Sequence, residues 1–98
     1  MEHLEFKYPL ANRRVTQKAH VGVVSSGDME VLMEPAERAV ARVSILTSVN
    51  GSGAHWKAVF DRFFEEYDGA VRIHINDAGA TPGTVMLRLQ QAAEAVEQ

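Results

Sequence analysis

Between positions 56 and 67 the chain places a large apolar side chain every three or four residues: Trp56, Val59, Phe60, Phe63, Phe64 and Tyr67. That spacing lines them along one side of a helix, with Lys57, Asp61, Arg62, Glu65 and Glu66 on the other. The pairs Lys57/Asp61 and Arg62/Glu66 are four apart and add weak exposed pairing. "NGSG" at 50–53 marks the start of this helix, and Asp68-Gly69 supplies a stop. An aromatic stripe this wide is core, and it requires an apolar surface to cover.

The segments around the helix supply that surface with a period of two. "AHVGVV" at 19–24 puts Ala19, Val21 and Val23 on one face, and "MEVLME" at 29–34 opposes Met29, Val31 and Met33 to Glu30 and Glu34. These read as a hairpin with Ser25 to Asp28 between its strands. "AVARVSILTSV" opposes Val43 and Ile45 to Arg42 and Ser44, and "AVRIHIN" at 70–76 opposes Val71, Ile73 and Ile75 to Arg72, His74 and Asn76. Residues 3–9 form a short strand ended by Pro9, expected at an edge, and the polar "LANRRVTQK" after it reads as a connection. Thr81 and Pro82 have the form of an N-cap and first helical residue. From there Val85, Met86, Leu89, Ala92, Ala93 and Val96 fit a helical face, whereas Val85, Leu87 and Leu89 alone also fit a strand. The alanine- and glutamine-rich end favours the helix. The expected fold is α+β: a two-layer sandwich in which a mainly antiparallel sheet of three to four strands is packed by two helices. Its other sheet face is polar and faces water or a partner.

Ninety-eight residues suffice for one domain, spanning 1–98, and the composition is that of a folded chain, 46% hydrophobic and 23% charged. A net charge of -3 leaves no basic excess for a nucleic-acid backbone. No apolar run of about 18 residues offers a membrane span, and the N-terminus lacks the order of a secretion signal, so the expected location is the cytoplasm. The chain has no cysteine, hence no thiol of its own.

The four histidines, His3, His20, His55 and His74, show no metal-ligand spacing, and each alone is more often a surface or structural residue. "NGSGAHWK" and "GATPG" are glycine-bearing helix entries without the GxxxxGK or GxGxxG spacing, so cap and turn roles explain them more cheaply than anion binding. A serine nucleophile at Ser25 or Ser26 requires a histidine base, an acid and oxyanion donors, and "SSGD" is not the GxSxG elbow. Locally it is a turn. Its functional alternative is a handle for a modifying enzyme, with Gly27 clearing the approach and Asp28 bonding the turn or being read by that enzyme.

Four ordered motifs carry a resemblance across essentially the whole chain: "MEHLEFKYP", "AHVGVVSSGDMEVLMEP" at 19–35, "TSVNGSG" with Trp56, and "INDAGATPG" at 75–83 followed by "LRL". With them the chain resembles the acyl carrier (delta) subunits of malonate decarboxylase and, more distantly, the acyl carrier subunit of citrate lyase.

The resemblance implies a non-catalytic carrier with no catalytic or metal-binding residues. It implies a covalently attached phosphoribosyl-dephospho-CoA, 2'-(5''-phosphoribosyl)-3'-dephospho-CoA, whose thiol carries acetyl or malonyl. The family serine before Gly-Asp corresponds to Ser26, followed by Gly27 and Asp28, with Ser25 the alternative attachment point. The implied partners are the acyl-transferase and decarboxylase subunits, a malonyl transferase and a prosthetic-group transferase. Separately from the resemblance, turn placement and exposure lead to the expectation that "NGSG" and "GATPG" flank the prosthetic group or contact a partner, and that Arg72, His74 and Asn76 form part of a docking face. The reading kept beside this one is a non-catalytic protein-interaction module without a prosthetic group.

Overall fold

Both periods form the elements they imply. The computed structural model describes residues 1–9 and 11–97. It contains strands β1 (Glu2–Pro9), β2 (Arg13–Arg14), β3 (Ala19–Gly22), β4 (Met29–Pro35) and β5 (Val40–Thr47), helix α1 (Gly53–Glu66), strand β6 (Gly69–Asp77) and helix α2 (Pro82–Val96). Leu10, in the expected connection, and Gln98 lie outside the described residues.

The sheet corrects the expected strand count and pairing. Six strands are described, in the order β1-β5-β6-β4-β3, with β2 pairing β6 off that path. The hairpin β3–β4 is antiparallel, as are β1–β5 and β4–β6, but β5–β6 and β2–β6 are parallel. The sheet is therefore mixed, not a mainly antiparallel one of three to four strands. Its cause is α1: a helical crossover returns the chain to the same end of the sheet, so β6 runs parallel beside β5 and separates it from β4. The sixth strand, β2, falls in the segment expected as a connection. Arg13 holds it there, with Nε 2.9 Å from Asp68 Oδ1, a second ion pair to Glu97 and its guanidinium over the Tyr67 ring.

Both helices cover one sheet face. Trp56, Phe60 and Phe63 of α1 and Val85, Leu89, Ala92 and Val96 of α2 are buried against Met29, Val31, Met33, Ala41, Val43, Ile45, Val71, Ile73 and Ile75. Leu87 is 51% exposed, which excludes the strand alternative for this segment. The Thr81 side chain accepts from Thr84 N at 3.2 Å with Pro82 following, the expected cap. Of the two expected pairs on α1, Lys57–Asp61 is the one that closes among the described residues. The α1 stop differs from expectation: the backbone turns extended at Tyr67, and Gly69 opens β6. A Cβ at Gly69 would lie 2.5 Å from the Tyr67 hydroxyl, so a larger residue there requires the Tyr67 ring to shift.

The second sheet face is open and polar. Lys7, Arg42 and Arg72 share one rung across β1, β5 and β6, since Lys7 is in register with Arg42 and Arg42 with Arg72.

Candidate functional site

The strand β3 stops at Gly22, two residues earlier than its sequence pattern implies. Gly22 takes φ +84°, and a Cβ there would sit 2.2 Å from the Met29 carbonyl oxygen and 3.2 Å from Arg88 Nε. The chain leaves the sheet at this point, so Val23 and Val24 are 60% and 54% exposed, and Val23 does not lie on the apolar inner face. Residues 23–28 form the loop between β3 and β4.

At its tip, Asp28 N donates to Ser25 O at 2.9 Å, closing a four-residue turn over Ser25-Ser26-Gly27-Asp28. Gly27 occupies the third position with φ +77°, the left-handed conformation a type II turn reserves for glycine. Nothing lies within 4 Å of a Cβ built there, so the requirement is conformational and the space is open. Ser25 and Ser26 are both exposed, and among the described residues neither hydroxyl has a hydrogen-bond partner.

The turn is pinned from beneath. Gly27 N donates to Ala78 O at 2.7 Å, and Ala78 N donates to Asp28 O at 2.9 Å. The Asp28 carboxylate accepts from Met29 N at 2.7 Å and takes a forked pair from Arg88 of α2, Nε to Oδ1 at 3.2 Å and Nη2 to Oδ2 at 2.8 Å. Arg88, then the Met29 amide, hold this carboxyl below the usual aspartate range. Asp28 thus orients the turn. Arg88 and Gly22 are among the site residues that the sequence reading did not single out, with Ala78 and Asp77; a glycine inside an apolar alternation was the available signal for Gly22.

Both glycine-bearing helix entries come to this end of the sheet, at the carboxyl ends of the parallel pair β5–β6. Buried Asp77 joins them. Its Oδ2 accepts from Thr47 Oγ1 at 2.8 Å, its Oδ1 accepts from Ala80 N at 2.9 Å, and its backbone oxygen accepts from Ser48 N at 3.1 Å. Gly79 N is also turned to Asp77, at 3.3 Å. In "GATPG", then, the Gly79 and Ala80 amides are already bonded within the turn, and Thr81 and Pro82 keep their cap and first-turn roles.

The histidines do not converge on the serines. His20 Nε2 lies 2.8 Å from Glu30, His74 Nε2 3.5 Å from Glu34 and His3 Nε2 2.9 Å from Ser44, all on the open sheet face, while His55 packs edge-on to Trp56. The geometry offers no base for a serine nucleophile. It presents a bare hydroxyl on a fixed turn, suited to being modified by another protein.

Comparison with known proteins matches this arrangement to one family. The family model described as "Malonate decarboxylase delta subunit (MdcD)" matches residues 16–96. The malonate decarboxylase acyl carrier protein of Azotobacter vinelandii is 46% identical over 97 residues, covering 98% of this chain and 97% of that protein. The protein of that name from Pseudomonas putida strain W619 is 48% identical over the same lengths. A chain in the crystal structure of a Pseudomonas malonate decarboxylase hetero-tetramer in complex with malonate superposes with a TM-score of 0.93 at 44% identity, over 98% of this chain and 99% of that one. The chain belongs to the malonate decarboxylase delta subunits, a family of non-catalytic acyl carrier proteins.

Proposed function

We propose that this chain carries acetyl and malonyl thioesters for malonate decarboxylase on a phosphoribosyl-dephospho-CoA linked through a phosphodiester to Ser26. The observation that carries this reading is the exposed Ser26 hydroxyl at the corner of a turn whose base is held by Ala78 and Arg88. The residues fit a tethered group better than an enclosed one. The space over Gly27 is open, and the depressions on the open sheet face and between the helices are lined by other residues. When attached, the group supplies the thiol that this cysteine-free chain lacks.

Ser26 is favoured over Ser25 because Ser25 is the first residue of the turn, with its carbonyl bonded to Asp28 N, whereas Ser26 stands at the corner beside Gly27. Gly27 lets a modifying enzyme approach and gives the turn its left-handed step. Asp28, held by Arg88, fixes the orientation of the turn that presents the hydroxyl. The chain's own contribution is presentation: a fixed attachment point keeps a carried acyl group at high effective concentration near successive active sites. The partners on this reading are the acyl-transferase and decarboxylase subunits, a malonyl transferase and the prosthetic-group transferase, in the cytoplasm. No described helix is long and apolar enough to cross a membrane.

Intact-mass measurement after co-expression with the prosthetic-group transferase tests the assignment. The wild type and Ser25→Ala gain the mass of the group, and Ser26→Ala does not while remaining folded. A gain that survives in Ser26→Ala and vanishes in Ser25→Ala moves the attachment to Ser25. Complex formation with no mass gain in any form favours the interaction module.

A further inference from the structure

The open sheet face carries a charge arrangement that the fold does not need. Lys7, Arg42 and Arg72 stand side by side on β1, β5 and β6, all exposed and all on one rung. Side chains directly opposite one another on neighbouring strands have Cβ atoms about 5 Å apart, and like charges so placed are destabilising. Arg42 has a cation on both sides.

The nearby carboxylates relieve this only at the β4 end of the rung, where Glu34 is the cross-strand neighbour of Arg72. Glu34 is in register with Arg72, yet its Oε1 lies 3.5 Å from His74 Nε2. Glu5 lies 3.8 Å from His3 Nε2. Glu37 and Arg38 border the same surface from the β4–β5 connection, adding one charge of each sign. Among the described residues none of the three cations closes an ion pair. Three unpaired cations are thus concentrated on one rung of a chain whose net charge is -3. Lys7, Arg42 and Arg72 also line a shallow depression whose floor includes Ser44.

We infer that this rung is a docking surface for an acidic patch on a partner subunit of malonate decarboxylase, the assembly already invoked for the carrier. Charge complementarity selects the occupant: an acidic protein surface cancels the repulsion within the rung and steers association. Its position suits a carrier. Arg72 lies five residues before Asp77 on β6, about 17 Å along the strand, so the rung and the serine turn are separate surfaces.

The test measures association of the carrier with the remaining subunits of its decarboxylase, assembled without it, by biolayer interferometry at 50 and 500 mM NaCl. The carriers are wild type, Arg42→Gln and the triple variant Lys7→Gln/Arg42→Gln/Arg72→Gln, each with and without the prosthetic group. The triple variant associates at least about tenfold more slowly than wild type at low salt, and the gap closes at high salt. Arg42→Gln melts at a higher temperature than wild type, because it removes two like-charge neighbours. Unchanged association and salt dependence in the triple variant overturn the proposal, as does a lower melting temperature for Arg42→Gln. Self-association of the wild type that the triple variant abolishes also overturns it, since the occupant is then a second copy. Rung-dependent association with an unmodified Ser26 supports the docking surface while rejecting the carrier chemistry, so the two readings fail separately.

Discussion

Gly22 and Gly27 have nearly the same backbone conformation in different surroundings, which separates two physical costs. At Gly27 an alanine meets only the left-handed strain, about 1–2 kcal/mol, because nothing lies within 4 Å of its Cβ. At Gly22 the same strain adds to a Cβ placed 2.2 Å from the Met29 carbonyl oxygen, so the backbone must move. Urea unfolding is expected to show Gly22→Ala as clearly more destabilising than Gly27→Ala. Asp28 gives this turn a pH dependence of definite sign. Its folded pKa is depressed chiefly by Arg88, so its contribution is present above the ordinary aspartate range and is lost as pH falls through the depressed value. Backbone order parameters for residues 25–28 should hold from neutral pH down to that range and fall below it, earlier than those of β6. At this scale the exposed turn was legible in "SSGD", whereas the choice of Ser26 comes from the family motif alone, because the turn itself shows two adjacent exposed hydroxyls. Arg88 was not legible, because a lone arginine on an amphipathic helix gives no sign that it reaches 60 residues back to an aspartate.

Elements were the most legible level. The aromatic spacing set the buried side of α1, and Phe60, fully buried among Phe6, Trp56, Phe63 and Phe64, is its centre. Phe60→Ala is expected to cost about 3–5 kcal/mol in urea unfolding, whereas Leu87→Ala, on the exposed side of α2, changes stability little. Pairing was less legible for a physical reason. Parallel strands usually have both faces covered and read as continuous apolar runs, but here β5 and β6 alternate because helices cover only one face. Their alternation therefore looked antiparallel. The two-residue β2 is below the length at which any period registers, and it depends on Arg13 meeting Asp68 and Glu97 from distant parts of the chain.

Across the whole molecule, the two sheet faces divide the work. One face is spent on the core under α1 and α2; the other displays His3, Lys7, Arg42, Arg72 and His74. Sequence alternation assigned the faces of β4, β5 and β6 correctly, with Arg72 and His74 outward, but it put Val23 on the inner face and assigned no face to residues 3–9. It did not show that Lys7, Arg42 and Arg72 share a rung, because that follows from strand order and register, which are long-range. The gathering of three loops at one end was hidden for the same reason. The double hydrogen bond between the serine turn and Ala78 has a mechanical consequence. With the carried group attached at this turn, as proposed, the anchor is a fixed pivot, so the mobility a carrier needs resides in the attached arm, and the arm's length sets the radius within which every active site it serves must open.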